Sequence, residues 1–128
     1  MPALPTSSTF LGFWSERRLC TVTTLRPDGT PHVVPMGVVI DPVTDTAWAI
    51  TSKTSRKARN LATGGPIAIC CVDGRHWSTI EGTAVVTDDP PLVAEAERRY
   101  AERYKVPREN PSRVAIRITV TRVLGNVS

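Results

Sequence analysis

Leu19-Cys20-Thr21-Val22-Thr23-Thr24-Leu25-Arg26-Pro27-Asp28-Gly29-Thr30-Pro31-His32-Val33-Val34-Pro35 reads as a β-hairpin. The Leu19–Leu25 run alternates β-branched residues, which suit a pleated, half-buried surface. Pro27 presets its φ and Asp28-Gly29 accepts left-handed geometry, so Arg26–Thr30 is a turn. The return strand is expected over His32–Ile40. Working outward, Asp41–Asp45 makes a second turn and Thr46–Thr51 a third strand. Gly64-Gly65-Pro66 stops a helix and opens a strand over Ile67–Val72. Asp73-Gly74-Arg75-His76 then turns the chain into a long strand, Trp77–Thr87. Asp88-Asp89-Pro90-Pro91 opens a helix over Leu92–Tyr104, with Asp89 as N-cap and the prolines where a missing N–H is harmless. Leu92, Ala96, Tyr100 and Tyr104 share one face of it, with Glu95, Arg98, Glu102 and Arg103 on the others. Lys105–Arg113 is a polar loop and Val114–Val123 the last strand. At the other end, residues 1–7 are rich in Pro and Ser and read as loose. Ser8 or Thr9 caps a short helix through Phe10, Leu11, Phe13 and Trp14. Six strands joined by hairpins, with only short helices between them, predict a mainly β fold: an antiparallel six-stranded barrel with peripheral helices in a single domain over 1–128.

Composition sets the class. The 128 residues are 41% hydrophobic and 22% charged, as in ordinary globular proteins. The net charge of +4 favours anionic partners, but it is modest and local, which fits a site better than a polybasic tail. No nucleic-acid partner is expected. The start of the chain lacks the basic and apolar runs of a signal peptide. No stretch approaches the roughly 20 apolar residues needed to cross a bilayer. The expected location is the cytoplasm. Cys20, Cys70 and Cys71 cannot all pair within the chain and show no zinc spacing. They read as free thiols used as small apolar residues, with Cys70 and Cys71 on opposite faces of a strand.

The chemistry-bearing segment is Ser52-Lys53-Thr54-Ser55-Arg56-Lys57-Ala58-Arg59-Asn60, directly after the third strand. A helix is expected over about Ser55–Thr63. Its hydroxyls can cap the new helix, and its first-turn amides carry partial positive charge. An anion docked there meets backbone N–H groups, hydroxyls and cations together. Lys57 opposes the local dipole unless an anion is present. The competing reading is a solvated basic helix with an ordinary cap.

The order of these parts resembles the pyridoxamine-phosphate-oxidase-like split β-barrel family, and within it the deazaflavin-dependent branch that uses coenzyme F420. The resemblance is carried by Leu19–Leu25, Pro31-His32-Val33-Val34-Pro35, Ser55-x-Lys57-x-x-Asn60, Val72-Asp73-Gly74-Arg75-His76-Trp77, Ile80-Glu81-Gly82, Arg99–Tyr104 and Pro111-Ser112-Arg113-Val114. It spans residue 10 to the C-terminus, and the biliverdin reductases of that branch are the most similar in kind. What it implies is a homodimer with two sites at the subunit interface. Ser55 and Lys57 would hold the cofactor phosphate, with Arg56, Arg59, Asn60 and Thr51 nearby. Strand backbone around His32–Met36, including Pro35 and Met36, and around Ala49–Thr51 would line the deazaflavin ring. Trp77 would cover the site from the other subunit, and Arg113 and Tyr104 would meet the substrate.

Each residue also has a plain alternative. His32 and His76 stand beside turns, where a solvated imidazole is ordinary. Tyr100 reads as helix core, Glu81 as an ion-pair partner, and Asp73-Gly74 as a turn. No residue stands out as a catalytic acid, and no metal ligand set is present. The resemblance implies hydride transfer from reduced F420 to a conjugated acceptor, with biliverdin, a linear tetrapyrrole, going to bilirubin. Two other readings keep the fold: an FMN-dependent enzyme of the oxidase type, or a non-catalytic protein that sequesters flavin, deazaflavin or haem.

Overall fold

In the computed structural model, which describes residues 2–128, the opening hairpin forms as read. Strand β1 (Cys20–Leu25) pairs with β2 (Pro31–Met36) from Cys20 opposite Met36 to Leu25 opposite Pro31. The remaining strands are β3 (Val39–Asp41), β4 (Thr46–Ser52), β5 (Gly65–Asp73), β6 (His76–Thr87) and β7 (Arg113–Gly125). Three helices accompany them: α1 (Ser8–Ser15), α2 (Arg56–Asn60) and α3 (Pro90–Arg103).

The strands form one antiparallel sheet in the order β2-β1-β5-β6-β7-β4-β3. This corrects the six-stranded barrel: among the described residues there are seven strands, and the sheet is open. The return strand expected over His32–Ile40 breaks at Gly37-Val38. Val38 gives its amide to the Tyr104 hydroxyl (3.1 Å) and its carbonyl to Arg103 (2.6 Å). Both of its ladder groups thus serve side chains at the end of α3. Gly37 is needed there because a Cβ would lie 2.8–2.9 Å from the rings of Tyr104 and Tyr100. The chain therefore leaves one edge of the sheet at β2 and joins the opposite edge at β3. Two residues span the gap, so the sheet must curl round its core.

That core holds Phe10, Trp14, Val22, Ile69, Ile80, Ile116 and Ile118, all essentially inaccessible. Each large side chain buried this way contributes about 1.5–3 kcal/mol. Curvature is helped by a bulge between Glu81 and Gly82 on the long β6–β7 ladder. A Cβ on Gly82 would fall on the Thr119 carbonyl. Under α3 lies a second small cluster of Trp48, Ala96 and Ala115.

Several local expectations are corrected. The cap of α1 is Ser7, whose Oγ accepts from Phe10 N at 3.1 Å, one residue before the positions foreseen. Residues 3 and 4 are fixed: both amides donate to the Asp45 carboxylate (2.9 and 2.8 Å), and Leu4 is buried. Asp89 occupies the N-cap of α3, but only its carbonyl bonds the helix, to Val93 N. The basic helix is a single turn, because Leu61, Ala62 and Gly64 close it with tight turn hydrogen bonds. Arg103, placed off the apolar face of α3, is nevertheless only 5% exposed. No described helix is long and apolar enough to cross a membrane.

Candidate functional site

A cavity of about 650 Å³ opens between the end of β2, the end of β4 and the loop after α3. Met36 and Gly37 form one wall, Ile50, Thr51 and Ser52 another, and Tyr100 stands at the back. The loop brings Lys105, Arg108 and Arg113 to the mouth, with no acidic lining residue. Arg113 is fixed by Glu97 (2.9 Å) and the Arg108 carbonyl (2.8 Å). The loop is also tied to β4: Asn110 Nδ2 donates to Ser52 Oγ (3.1 Å), and Lys53 N donates to the Ser112 carbonyl (2.8 Å).

The basic turn is continuous with this cleft through Thr51, whose Oγ1 donates to Ser55 Oγ (3.0 Å). Ser55 caps α2 by accepting from Ala58 N (3.2 Å). With both acceptances made, its own proton is free to donate to a ligand. Among the described residues, none of Lys53, Arg56, Lys57 and Arg59 pairs with a carboxylate. Burial pushes the Lys57 ammonium below its ordinary range. His32 is lowered too, first by burial and then by Arg26, Lys57 and Arg56. Its Nδ1 is buried without a partner, as is Asn60 Oδ1. Asn60 Nδ2 donates to Thr24 Oγ1 (2.9 Å), and Thr24 stands opposite His32 in the β1–β2 ladder. The patch thus combines like charges with an unmet imidazole nitrogen, and an anion relieves the charges and can accept from that nitrogen when it carries a proton. Asn60 Oδ1, an acceptor, calls for a donor such as a ligand hydroxyl.

The structure brings most of the foreseen residues together. Met36, Thr51 and Arg113 line the cleft, Ser55 bonds Thr51, and His32, Arg56, Lys57 and Asn60 form the adjoining basic patch. Lys53 and Arg59 are exposed, and so is Pro35 on the outer face of β2. Tyr104 does not line the cleft. Its hydroxyl donates to the Arg18 carbonyl (2.8 Å) and accepts from Val38 N, and burial raises its pKa. Tyr100 stacks on Tyr104 (4.8 Å between centroids) and faces the cleft, so it is not only helix core. Trp77 is 40% exposed in the β5–β6 hairpin and is not part of the cleft lining. Glu81 lies 3.8 Å from Arg122, an ion pair as read. Sequence reasoning missed that Lys105 and Arg108 share one mouth with Arg113, because loop conformation carries no periodic signal.

Fold and site together define a small antiparallel β protein with a cleft lined by cations at its mouth. The chain belongs to the pyridoxamine 5′-phosphate oxidase family, whose profile matches residues 8–126. An F420H2-dependent biliverdin reductase of Mycobacterium tuberculosis is 47% identical over 116 residues, 91% of this chain and 85% of that protein. A conserved hypothetical protein of the same organism superposes with a TM-score of 0.77 at 25% identity, covering 96% of this chain and 85% of its own. A solved F420 reductase gives 0.73 at 22% identity, with 94% and 98% covered.

Proposed function

We propose that this chain is an oxidoreductase that uses reduced coenzyme F420 to reduce biliverdin to bilirubin. The observation that carries the reading is the 47% identity over nine-tenths of the chain to a protein of that activity. The residues present fit the cofactor: a basic patch without carboxylate partners among the described residues, with the unpartnered His32 Nδ1 in it, adjoins a cleft large enough for a flat ring. The unpartnered Asn60 Oδ1 is placed to accept from a hydroxyl of the side arm. Lys57 and the free proton of Ser55 would hold the phosphate, with Arg56, His32 and Asn60 around it. Backbone at Met36 and Ile50–Ser52 would border the ring. When bound, the reduced deazaflavin supplies a hydride from its ring carbon C5. The protein's share is to orient the two partners and exclude water. Arg113, held by Glu97, and Lys105 and Arg108 would receive the propionates of the tetrapyrrole. The acceptor nitrogen would take its proton from solvent or from a nearby cation, of which Lys105 lines the cleft.

A homodimer belongs to the same proposal. The outer face of β2, β1, β5 and β6 exposes Val33 (56%), Leu25, Val72 (57%) and Trp77, an apolar surface that a second copy would cover. Trp77 of each copy would then close over the other's cleft.

Titration with F420 and FMN separately tests the cofactor, and addition of biliverdin to protein with reduced F420 tests the reaction. Selective binding of F420 and bleaching of the green pigment are expected. Tight FMN binding without F420 binding would sink the proposal in favour of the oxidase-type reading that the family match also allows. F420 binding without turnover would leave a sequestering protein.

A further inference from the structure

Arg103 reaches from the end of α3 into the interior and is 5% exposed. It donates to the carbonyls of Glu16 (2.8 Å) and Val38 (2.6 Å), and its remaining donors face sulfur: Cys71 Sγ at 3.5 Å and Cys20 Sγ at 3.8 Å. Among the described residues no carboxylate stands within ion-pair distance of it. A guanidinium does not lose its proton in a protein, and a buried charge calls for a counter-charge. The two thiols are the groups placed to supply one.

Their own geometry points the same way. The two sulfurs are 3.4 Å apart, with Cys20 donating to Cys71. Thr21 pairs with Cys70 across β1 and β5, so Cys20 and Cys71 are the next, directly opposed pair. Opposed residues of antiparallel strands have Cα atoms about 4.5–5.5 Å apart, within the span of a disulfide. The hydrogen bond from Cys20 pulls the Cys71 thiol below its ordinary range. Burial opposes this, and Arg103 and Arg18 reinforce it. The same hydrogen bond, with burial, pushes Cys20 up. The contact that favours a protonated Cys71, the Leu19 carbonyl at 3.7 Å, is longer than either of the others.

We propose that Cys20 and Cys71, both buried, are a redox-active dithiol that closes to a cross-strand disulfide when local opening of the strand ends admits hydrogen peroxide as oxidant, Arg103 making Cys71 the attacking sulfur. The Cys71 thiolate attacks one peroxide oxygen, forming S–O and breaking O–O, and hydroxide leaves. Cys20 then attacks the Cys71 sulfenic acid, its proton going to the departing hydroxyl as water. Overall, one thiolate, one thiol and one hydrogen peroxide give one disulfide, one water and one hydroxide. The disulfide is neutral, so Arg103 loses its counter-ion. Arg103 holds Val38, and Val38 follows the Gly37 wall of the cleft. Oxidation therefore acts on that wall.

The test is thiol counting on the reduced full-length protein after hydrogen peroxide at neutral pH, with alkylation under denaturing conditions. Free thiols should fall from three to one, leaving Cys70, with a Cys20–Cys71 linked peptide by mass spectrometry and full recovery by dithiothreitol. Cys70→Ser should fall from two to none. In Cys20→Ser the reaction should stop at a sulfenic acid that dimedone labels on Cys71. The wild-type thiolate absorbance at 240 nm should disappear in Cys71→Ser. Persistence of three thiols, labelling of Cys20 or Cys70 instead, or linkage only between molecules through Cys70 would overturn the proposal.

Discussion

Lys57 shows how one side chain can announce a ligand. It is a half-buried cation with no carboxylate partner, and its pKa is lowered by burial alone. Lys57→Ala should weaken F420 binding by about 1.5–3 kcal/mol, a factor of roughly ten to a hundred and fifty. An unchanged dissociation constant in a fluorescence titration would remove Lys57 from the phosphate site. His32 adds a pH dependence. Its folded pKa lies below its unfolded value, so the folded state binds fewer protons and stability rises with pH. The contribution is complete above the unfolded value, about 6.5, and is lost as pH falls through the depressed folded value. The thermal midpoint of the ligand-free protein should therefore drop on acidification below about pH 6.5, and His32→Gln should flatten that drop. At this scale the basic patch was legible, because hydroxyl and cation types in one short segment state their chemistry. The partnerless Nδ1 of His32 was not, since burial is set by strands far away in sequence.

At the scale of elements, turn chemistry gave the hairpins. Pro27-Asp28-Gly29 and Asp73-Gly74 placed two of them within a residue or two of the observed strand ends. The break at Gly37-Val38 had no such signature, because it is imposed by Arg103, Tyr100 and Tyr104 from α3. Gly37→Ala should cost about 1–3 kcal/mol by forcing a methyl group against the two tyrosine rings. Urea unfolding measures this, and an unchanged midpoint would mean that the rings give way freely. Helix α2 was over-read in length for a related reason. Its residues are good helix formers, but closing turns at Leu61–Gly64 feed the chain straight into β5.

For the whole molecule, the consequence of the break is that both sheet edges belong to consecutive segments of chain. The sheet then curls enough to bring the end of β2 and the end of β4 into one cleft with the loop after α3. Its outer face leaves Leu25, Val33, Val72 and Trp77 exposed. Sedimentation should find two copies associated, and Val72→Glu should shift the population to monomer while the fold persists. A monomeric parent would end the proposal of a shared site. Alternation, turn residues and the basic segment were enough to show a mainly β antiparallel chain with a basic, hydroxyl-rich segment after the strand over Thr46–Thr51, which is β4, since these are local properties of side-chain type and spacing. The seventh strand, the open curled sheet, the three cations at the cleft mouth and the Cys20–Cys71–Arg103 cluster arise only in three dimensions. Each depends on contacts between residues tens of positions apart, which no local pattern encodes.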